Sequence, residues 1–277
     1  MIQSTFCHLQ GIGPATERRL WAAGVDSWSA AARSDRRLPR VGPLAAHGEA
    51  SLEALAARDW AYFRGLLGGA HAWRWYAQLR HNAVYLDIET TGLAADHAVV
   101  TVVGCWDGRE LRMFVRDDNL HQLWDYLAGF DLLVTFNGTT FDVPFLRATR
   151  PGLRLPPVHL DLRYALRALE LRGGLKSIER QVGLAREDEL QAVDGYLAVL
   201  LWHRHQAGDP RALPTLLRYC AEDVVGLQPL AELAYERHCA LLPPLPIERL
   251  SIGERPETGL DWAPEIVEEL LGYLTAY

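Results

Sequence analysis

At 277 residues, 49% hydrophobic and 23% charged, the chain has the size and composition of one globular domain with an extension around a full core. No stretch approaches the roughly 20 apolar residues that span a bilayer, the N-terminus MIQSTFCHLQ lacks the basic-then-apolar order of a signal peptide, and Cys7, Cys105, Cys220 and Cys239 form no C-x-x-C pair. These features exclude a helical membrane protein and a cysteine-paired zinc or redox centre, and the expectation is a cytoplasmic protein with reduced thiols.

The net charge of −7 is unevenly spread. Residues 1–82 carry ten Arg against six Asp or Glu, a balance of +4, which leaves −11 for the remainder. An acidic body with a mildly basic front is compatible with nucleic-acid contact through the front. Residues 1–80 are expected as a small helical domain punctuated at GIGP (11–14) and LPRVGP (38–43). From Glu49 the Ala-, Leu- and aromatic-rich segment has helical periodicity, with a break at Gly68-Gly69. In LQGIGPATERRLWAAGV, Leu9, Gly11, Ile12 and Gly13 match the apolar-x-Gly-apolar-Gly pattern of a helix-hairpin-helix, which it resembles. That resemblance implies a motif that binds nucleic-acid backbone, with Gly11 and Gly13 admitting a phosphate to main-chain amides and Arg18 and Arg19 adding charge. A helix–turn–helix used only for packing fits the same residues, and LPRVGP reads as a weakly matching second copy.

Residues 81–242 change character. AVYLDI, AVVTVVGCW and ELRMFV read as strands, NLHQLWDYLAG as a helix, DLLVTF as a buried strand, TTFDVPFLRATR as a helix entered through Pro144, and VHLDL as a fifth strand. Beyond residue 161 nearly everything is expected to be helical. Three strands, a helix, a strand, a helix, a strand and then helices describe an α/β fold, a mixed five-stranded sheet flanked by helices. Residues 243–277 form a Pro-rich tail that ends in the amphipathic stretch PEIVEELLGYL, its role left open beyond covering the last helix.

The acidic residues in this region fall into three contexts. Asp87 and Glu89 in YLDIETTG are two apart on a strand and point to one face, where they repel unless a cation or proton lies between them. Hard oxygen donors favour magnesium or manganese. Asp142 follows Asn137-Gly138 and opens a helix, a position that also suits a charge complementing the helix dipole. Tyr219 and Asp223 are spaced i, i+4 and share a helical face. Each context alone is weak. Asp161 reads mainly as a helix N-cap, His203 and His205 lie on different helical faces, and Lys176 with Ser177 in GGLKS reads equally as a helix start or a phosphate contact.

Taken together, D-I-E-T-T-G-L, N-x-x-x-F-D and Y-x-x-x-D, in this order and spacing, resemble the DEDD 3′–5′ exonucleases of the ribonuclease H-like superfamily, in the subgroup marked by the tyrosine. GGLKSIERQVGL (173–184) and DGYLAVLLWHRH (194–205) further resemble the YprB-like branch. The resemblance implies a ribonuclease H-like domain over residues 81–242 that hydrolyses phosphodiester bonds with two Mg2+ or Mn2+ ions. Asp87, Glu89, Asp142 and Asp223 would be the ligands, and Tyr219 would orient the water. Thr90, Gly92 and Asn137 would line the entry for the terminal nucleotide. The implied partner is DNA or RNA with a 3′ end, and no membrane. A structure-selective endonuclease on the same residues and a non-catalytic nucleic-acid-binding protein are the alternatives.

Overall fold

Pro14 opens the first helix, α1 (Pro14–Ala22), where its missing amide costs nothing, and Gly11 ahead of it takes a φ of +90° that a side chain would resist. A computed structural model describes residues 1–94, 97–184 and 195–275 of the chain. Helix α2 (Trp28–Ala32) is capped by Ser27, whose hydroxyl accepts the Ala30 amide at 3.2 Å, and α3 (Leu44–Ala56) packs against it. Between them, segment 38–43 is part of a two-stranded antiparallel ribbon, Arg37–Leu38 with Gly42–Pro43, turning through a left-handed Arg40.

The aromatic stretch that follows departs from the long helix expected of it. The α-helix stops at Ala56, and Asp59 ties down the turn by accepting the Ala61 and Tyr62 amides. Two 3-10 segments, Arg64–Leu66 and Gly69–Trp75, lead to α4 (Tyr76–Leu79). Packing is the reason. Residues two apart on an α-helix diverge by about 200°, yet Trp73 and Trp75 are both buried. Trp73 stacks on His238 with 4.5 Å between centroids, while Trp75 meets Phe63 edge to face at 5.1 Å.

The sheet comprises β1 (Ala83–Thr90), β2 (Val100–Trp106), β3 (Leu111–Val115), β4 (Leu132–Thr135) and β5 (Val158–Asp161), in the spatial order β3-β2-β1-β4-β5. The first three are antiparallel neighbours, while β4 and β5 run parallel to β1. The expected mixed five-stranded sheet is thus present. Its central strand is buried on both faces: Val84, Leu86 and Ile88 enter one core with Leu133 and Phe145, and Ala83 and Tyr85 enter the other. That second core continues into the N-terminal helices through Trp73, Trp75 and Tyr76, and the Tyr76 and Tyr85 hydroxyls meet at 2.7 Å.

Helix α5 (Leu123–Leu127) and α6 (Asp142–Thr149) precede and follow β4, and α7 (Leu162–Arg167) follows β5. Next come α8 (Leu175–Val182), α9 (Gly195–Gln206) and the long α10 (Ala212–Ala240), which lies across β1 and β2. The tail, whose role the sequence left open, packs on α10. Tyr235 donates to the Glu248 carbonyl at 2.8 Å, Gly253 donates to Glu232 at 2.7 Å, and Arg255 bonds Glu179 and Glu222 at 3.0 and 3.1 Å. The last helix, α11 (Pro264–Thr275), buries Ile266, Val267 and Leu270 in a third core with Leu197 and Leu201 of α9. Among the described residues no helix is long and apolar enough to cross a membrane.

The approach of α10 to the sheet depends on Gly104 of β2. A Cβ there would lie 2.8 Å from Val224 and 3.0 Å from the Cys220 sulfur. Gly104→Ala is expected to cost about 1–3 kcal/mol through overpacking, read as a lower urea midpoint. An unchanged midpoint would mean that α10 can draw back from the strand without loss.

Candidate active site

The register of the sheet explains how the acids meet. Asp87 pairs with Gly104 and Glu89 with Val102, so both carboxylates project on the face that α10 crosses, and the missing side chain of Gly104 admits the helix. The Cys220 thiol donates to the Asp87 carbonyl oxygen at 3.8 Å, which holds strand and helix in register. Tyr219 and Asp223 therefore arrive one turn apart beside Asp87 and Glu89. A ladder shift between Glu89 and Thr90 ends the regular strand at this point.

Asp87, Glu89, Tyr219 and Asp223 line one cleft of about 540 Å3, with Thr90, Gly92, Leu93, Phe141 and Tyr196 around them. The Thr90 hydroxyl donates to the Gly92 carbonyl at 2.6 Å and fixes the turn at the rim. Asp142, the first residue of α6, is 2% exposed and lies close enough to Glu89 to perturb it. Asn137 has a left-handed φ of +68° and lines a neighbouring cavity instead. Gly11, Gly13 and Arg18 are exposed on the N-terminal region and do not line the cleft. Asp161 caps α7 as expected and does more: its two oxygens also accept the Asn137 and Thr139 amides at 2.8 and 3.0 Å, pinning the loop after β4.

The cluster is electrostatically unbalanced. Burial raises the Glu89 pKa well above the carboxylate range, Asp223 and Asp142 add to the rise, and Lys176 opposes it. Burial likewise lifts Asp142 to about 7, reinforced by Asp161 and opposed by the backbone amides of Asp142 and Ile88. One Asp142 oxygen, Oδ1, is buried with no hydrogen-bond partner among the described residues. A buried carboxylate oxygen left unmatched costs about 1–3 kcal/mol, which a proton or a cation at Asp142 would relieve. The donor oxygens of Asp87 and Glu89, which lie within 4.8 Å of each other, are hard donors that fit a divalent metal such as Mg2+ or Mn2+.

Cys220 was not singled out in the sequence, and Lys176 was, but without its place beside Tyr219. Cys220 offers its sulfur within 4.8 Å of donor oxygens of Asp87 and Glu89. Burial and the adjacent Asp87, Glu89 and Asp223 raise its pKa well above the usual thiol value, so it stays a thiol and a poor ligand for a hard ion. The Lys176 ammonium sits 4.6 Å from the Tyr219 ring centroid. The only signal for that proximity was GGLKS itself, since nothing in spacing links residue 176 to residue 219.

The mixed sheet has the strand order β3-β2-β1-β4-β5 and carries converging carboxylates near the end of its central strand. The sequence model described as the RNase_H superfamily matches residues 84–235, more than half of the chain, and the chain belongs to that superfamily. Among solved structures it is similar to Brucella melitensis NrnC with bound Mg2+, at 20% identity and a TM-score of 0.41, over 60% of this chain and 79% of that one. It is also similar to Escherichia coli RNase D, an exoribonuclease involved in structured RNA processing, at 19% identity and a TM-score of 0.41, over 64% and 46%. The family B DNA polymerase of Pyrobaculum calidifontis matches at 20% identity and a TM-score of 0.43, over 56% of this chain and 25% of the polymerase. The chain thus spans a quarter of the polymerase and less than half of RNase D. At TM-scores below 0.5 none of these likenesses bears on the reading of the site. No curated protein matches the chain.

Proposed function

We propose that the chain is a metal-dependent 3′–5′ exonuclease that hydrolyses phosphodiester bonds of DNA or RNA with two Mg2+ or Mn2+ ions. The observation that supports it is the meeting of Asp87, Glu89 and Asp223 in one open cleft beside Tyr219, with Asp142 behind Glu89. In this reading Asp87, Glu89 and Asp223 would hold one ion, and Asp142 would help Asp87 to hold the other. When bound, the ions supply the positive charge that activates water and stabilises the departing 3′ oxygen. Tyr219 orients the water through its hydroxyl and gives no proton to the leaving group. Water adds to the terminal phosphodiester and gives up a proton to solvent, the 3′ oxygen of the penultimate nucleotide leaves and takes a proton from solvent, and a nucleoside 5′-monophosphate is released. Thr90 and Gly92 line the entry for the terminal nucleotide, flanked by Leu93, 87% exposed.

The same reading divides the work along the chain. Residues 1–80 grip nucleic-acid backbone, with Gly11 and Gly13 opening amides to a phosphate and Arg18 adding charge; Arg18 is exposed and therefore available. Residues 81–242, a YprB-like domain, carry the reaction in the cytoplasm, and residues 243–277 cover it.

Incubating the protein with 5′-labelled single-stranded DNA and RNA, each with Mg2+, Mn2+ or chelator, tests the reading. A metal-dependent ladder shortening from the 3′ end is expected. Internal cuts would replace it with the endonuclease, and binding without cleavage that survives chelation would replace it with a non-catalytic binder. Tyr219→Phe is expected to lower kcat about 10²-fold, the scale of a misplaced reactant, with metal affinity by calorimetry unchanged. Lost metal binding would instead make the tyrosine structural.

A further inference from the structure

Beside the acidic cleft lies a second cavity, of about 630 Å3, and its charge is opposite. Arg163, Arg167 and Arg172 line it, and no carboxylate does among the described residues. Gly195 and Tyr219 line both cavities, so a carboxylate-lined wall adjoins a guanidinium-lined one. Chain geometry sets the three arginines there. Arg163 and Arg167 are four apart on α7 and share a face, and Arg172 follows in the loop that runs into α8. Gly174 is the N-cap of α8 and has no side chain to accept from the first-turn amides, while its carbonyl accepts the Ile178 amide at 3.0 Å. Asn137, on the same wall, accepts from Arg163 and from the Thr140 hydroxyl through Oδ1, and Asp161 pins its amide at 2.8 Å.

Guanidinium groups gathered next to a helix start, in a cavity that no carboxylate lines among the described residues, are the chemistry of phosphate recognition. The arginines line this cavity and not the acidic cleft. We propose that the second cavity is a phosphate subsite for the strand whose end occupies the acidic cleft, with Arg167 and Arg172 as its principal donors and Arg163 positioned through Asn137. This rests on the exonuclease reading for the position of that strand. The phosphate is either an internal phosphodiester of a long strand or the terminal 5′-phosphate of a short one. A single basic pocket across from a carboxylate cluster sets the register of the strand and offsets the repulsion between the bare protein's own acids and the bound backbone.

The test compares wild type with the double variant Arg167→Ala/Arg172→Ala; both positions are exposed, so the fold is not at stake. Calorimetry in calcium would measure Kd for a long single strand and for a tetranucleotide with and without a 5′-phosphate. Hydrolysis of a nucleoside nitrophenyl phosphodiester, too small to span both cavities, would be followed in parallel with Mg2+ and Mn2+. The variant is expected to bind the long strand about tenfold more weakly and to reduce the slope of log K against log salt by about 0.7 for each phosphate that the arginines no longer neutralise. Its hydrolysis of the small ester should stay at the wild-type rate. Affinity lost only for the 5′-phosphorylated tetranucleotide would assign the pocket to a terminal phosphate, and affinity lost for every strand would assign it to the internal phosphodiester. Unchanged Kd and unchanged salt slope for all strands would overturn the subsite, whatever the esterase result. If wild type cleaves neither ester nor oligonucleotide while the variant still loses binding, the exonuclease reading falls and the phosphate subsite stands.

Discussion

Asp223→Ala is expected to slow phosphodiester hydrolysis by about 10³–10⁴-fold, because charge stabilisation by a bound metal is worth several kcal/mol and each 1.36 kcal/mol is tenfold in rate. The same substitution is expected to leave the protein folded. Asp223 is 8% exposed and is the neighbouring charge that does most to raise Glu89, so its removal relieves repulsion among buried acids. Without metal the variant should therefore melt at or above the wild-type temperature. With metal the order reverses. Ions that bind only the folded state stabilise it by about 2.7 kcal/mol at a hundredfold excess over Kd, and the variant forfeits most of that gain. Thermal unfolding with magnesium and with chelator, beside an activity assay, reads both effects. Wild-type turnover would remove Asp223 from the site. A large loss of melting temperature in chelator would show that its role is to hold α10 against the sheet.

The contrast between site and surroundings explains what could be read from residues alone. Asp87 and Glu89 were legible because a strand has a period of two and the flanking Leu86 and Ile88 are apolar, which fixes the face. Tyr219 and Asp223 were legible for the equivalent reason on a helix. What no spacing contains is the close approach of β2 and α10 at Gly104, which brings these two pairs together, or the burial of Cys220 behind them. The Arg-lined cavity is similarly hidden: Arg163, Arg167 and Arg172 look like ordinary solvated charges until the loop before α8 folds back beside Tyr219. The helix expected beyond Glu49 failed at Ala56, since the aromatic residues after it are claimed by partners as distant as His238 and local periodicity yields to that packing.

Glu17→Ala is expected to be the most destabilising single change outside the site, at about 3–5 kcal/mol. Glu17 is 1% exposed and gathers the whole N-terminal turn: it accepts from the Thr5 hydroxyl at 2.7 Å, the Phe6 and Cys7 amides at 2.6 and 3.2 Å, and Arg74 at 2.9 Å. Arg74 is itself 5% exposed, so the variant leaves a guanidinium buried without its counter-charge. Burial alone would raise the Glu17 pKa, but Arg74, the Phe6 amide and the Thr5 hydroxyl together hold it below the usual carboxylate value. A depressed pKa contributes stability that is complete above the ordinary carboxylate pKa and is lost as pH falls through the folded value. Wild type should therefore lose stability in acid more steeply than a Glu17→Leu/Arg74→Met double variant, in which nothing at this position titrates. That double variant should also recover at least half of what Glu17→Ala costs, because an apolar pair strands no charge, although the Phe6 and Cys7 amides still lack their acceptor. If the double is as unstable as the single at every pH, the stranded Arg74 is not the source of the loss, and the carboxylate matters for the amides it receives rather than for the ion pair.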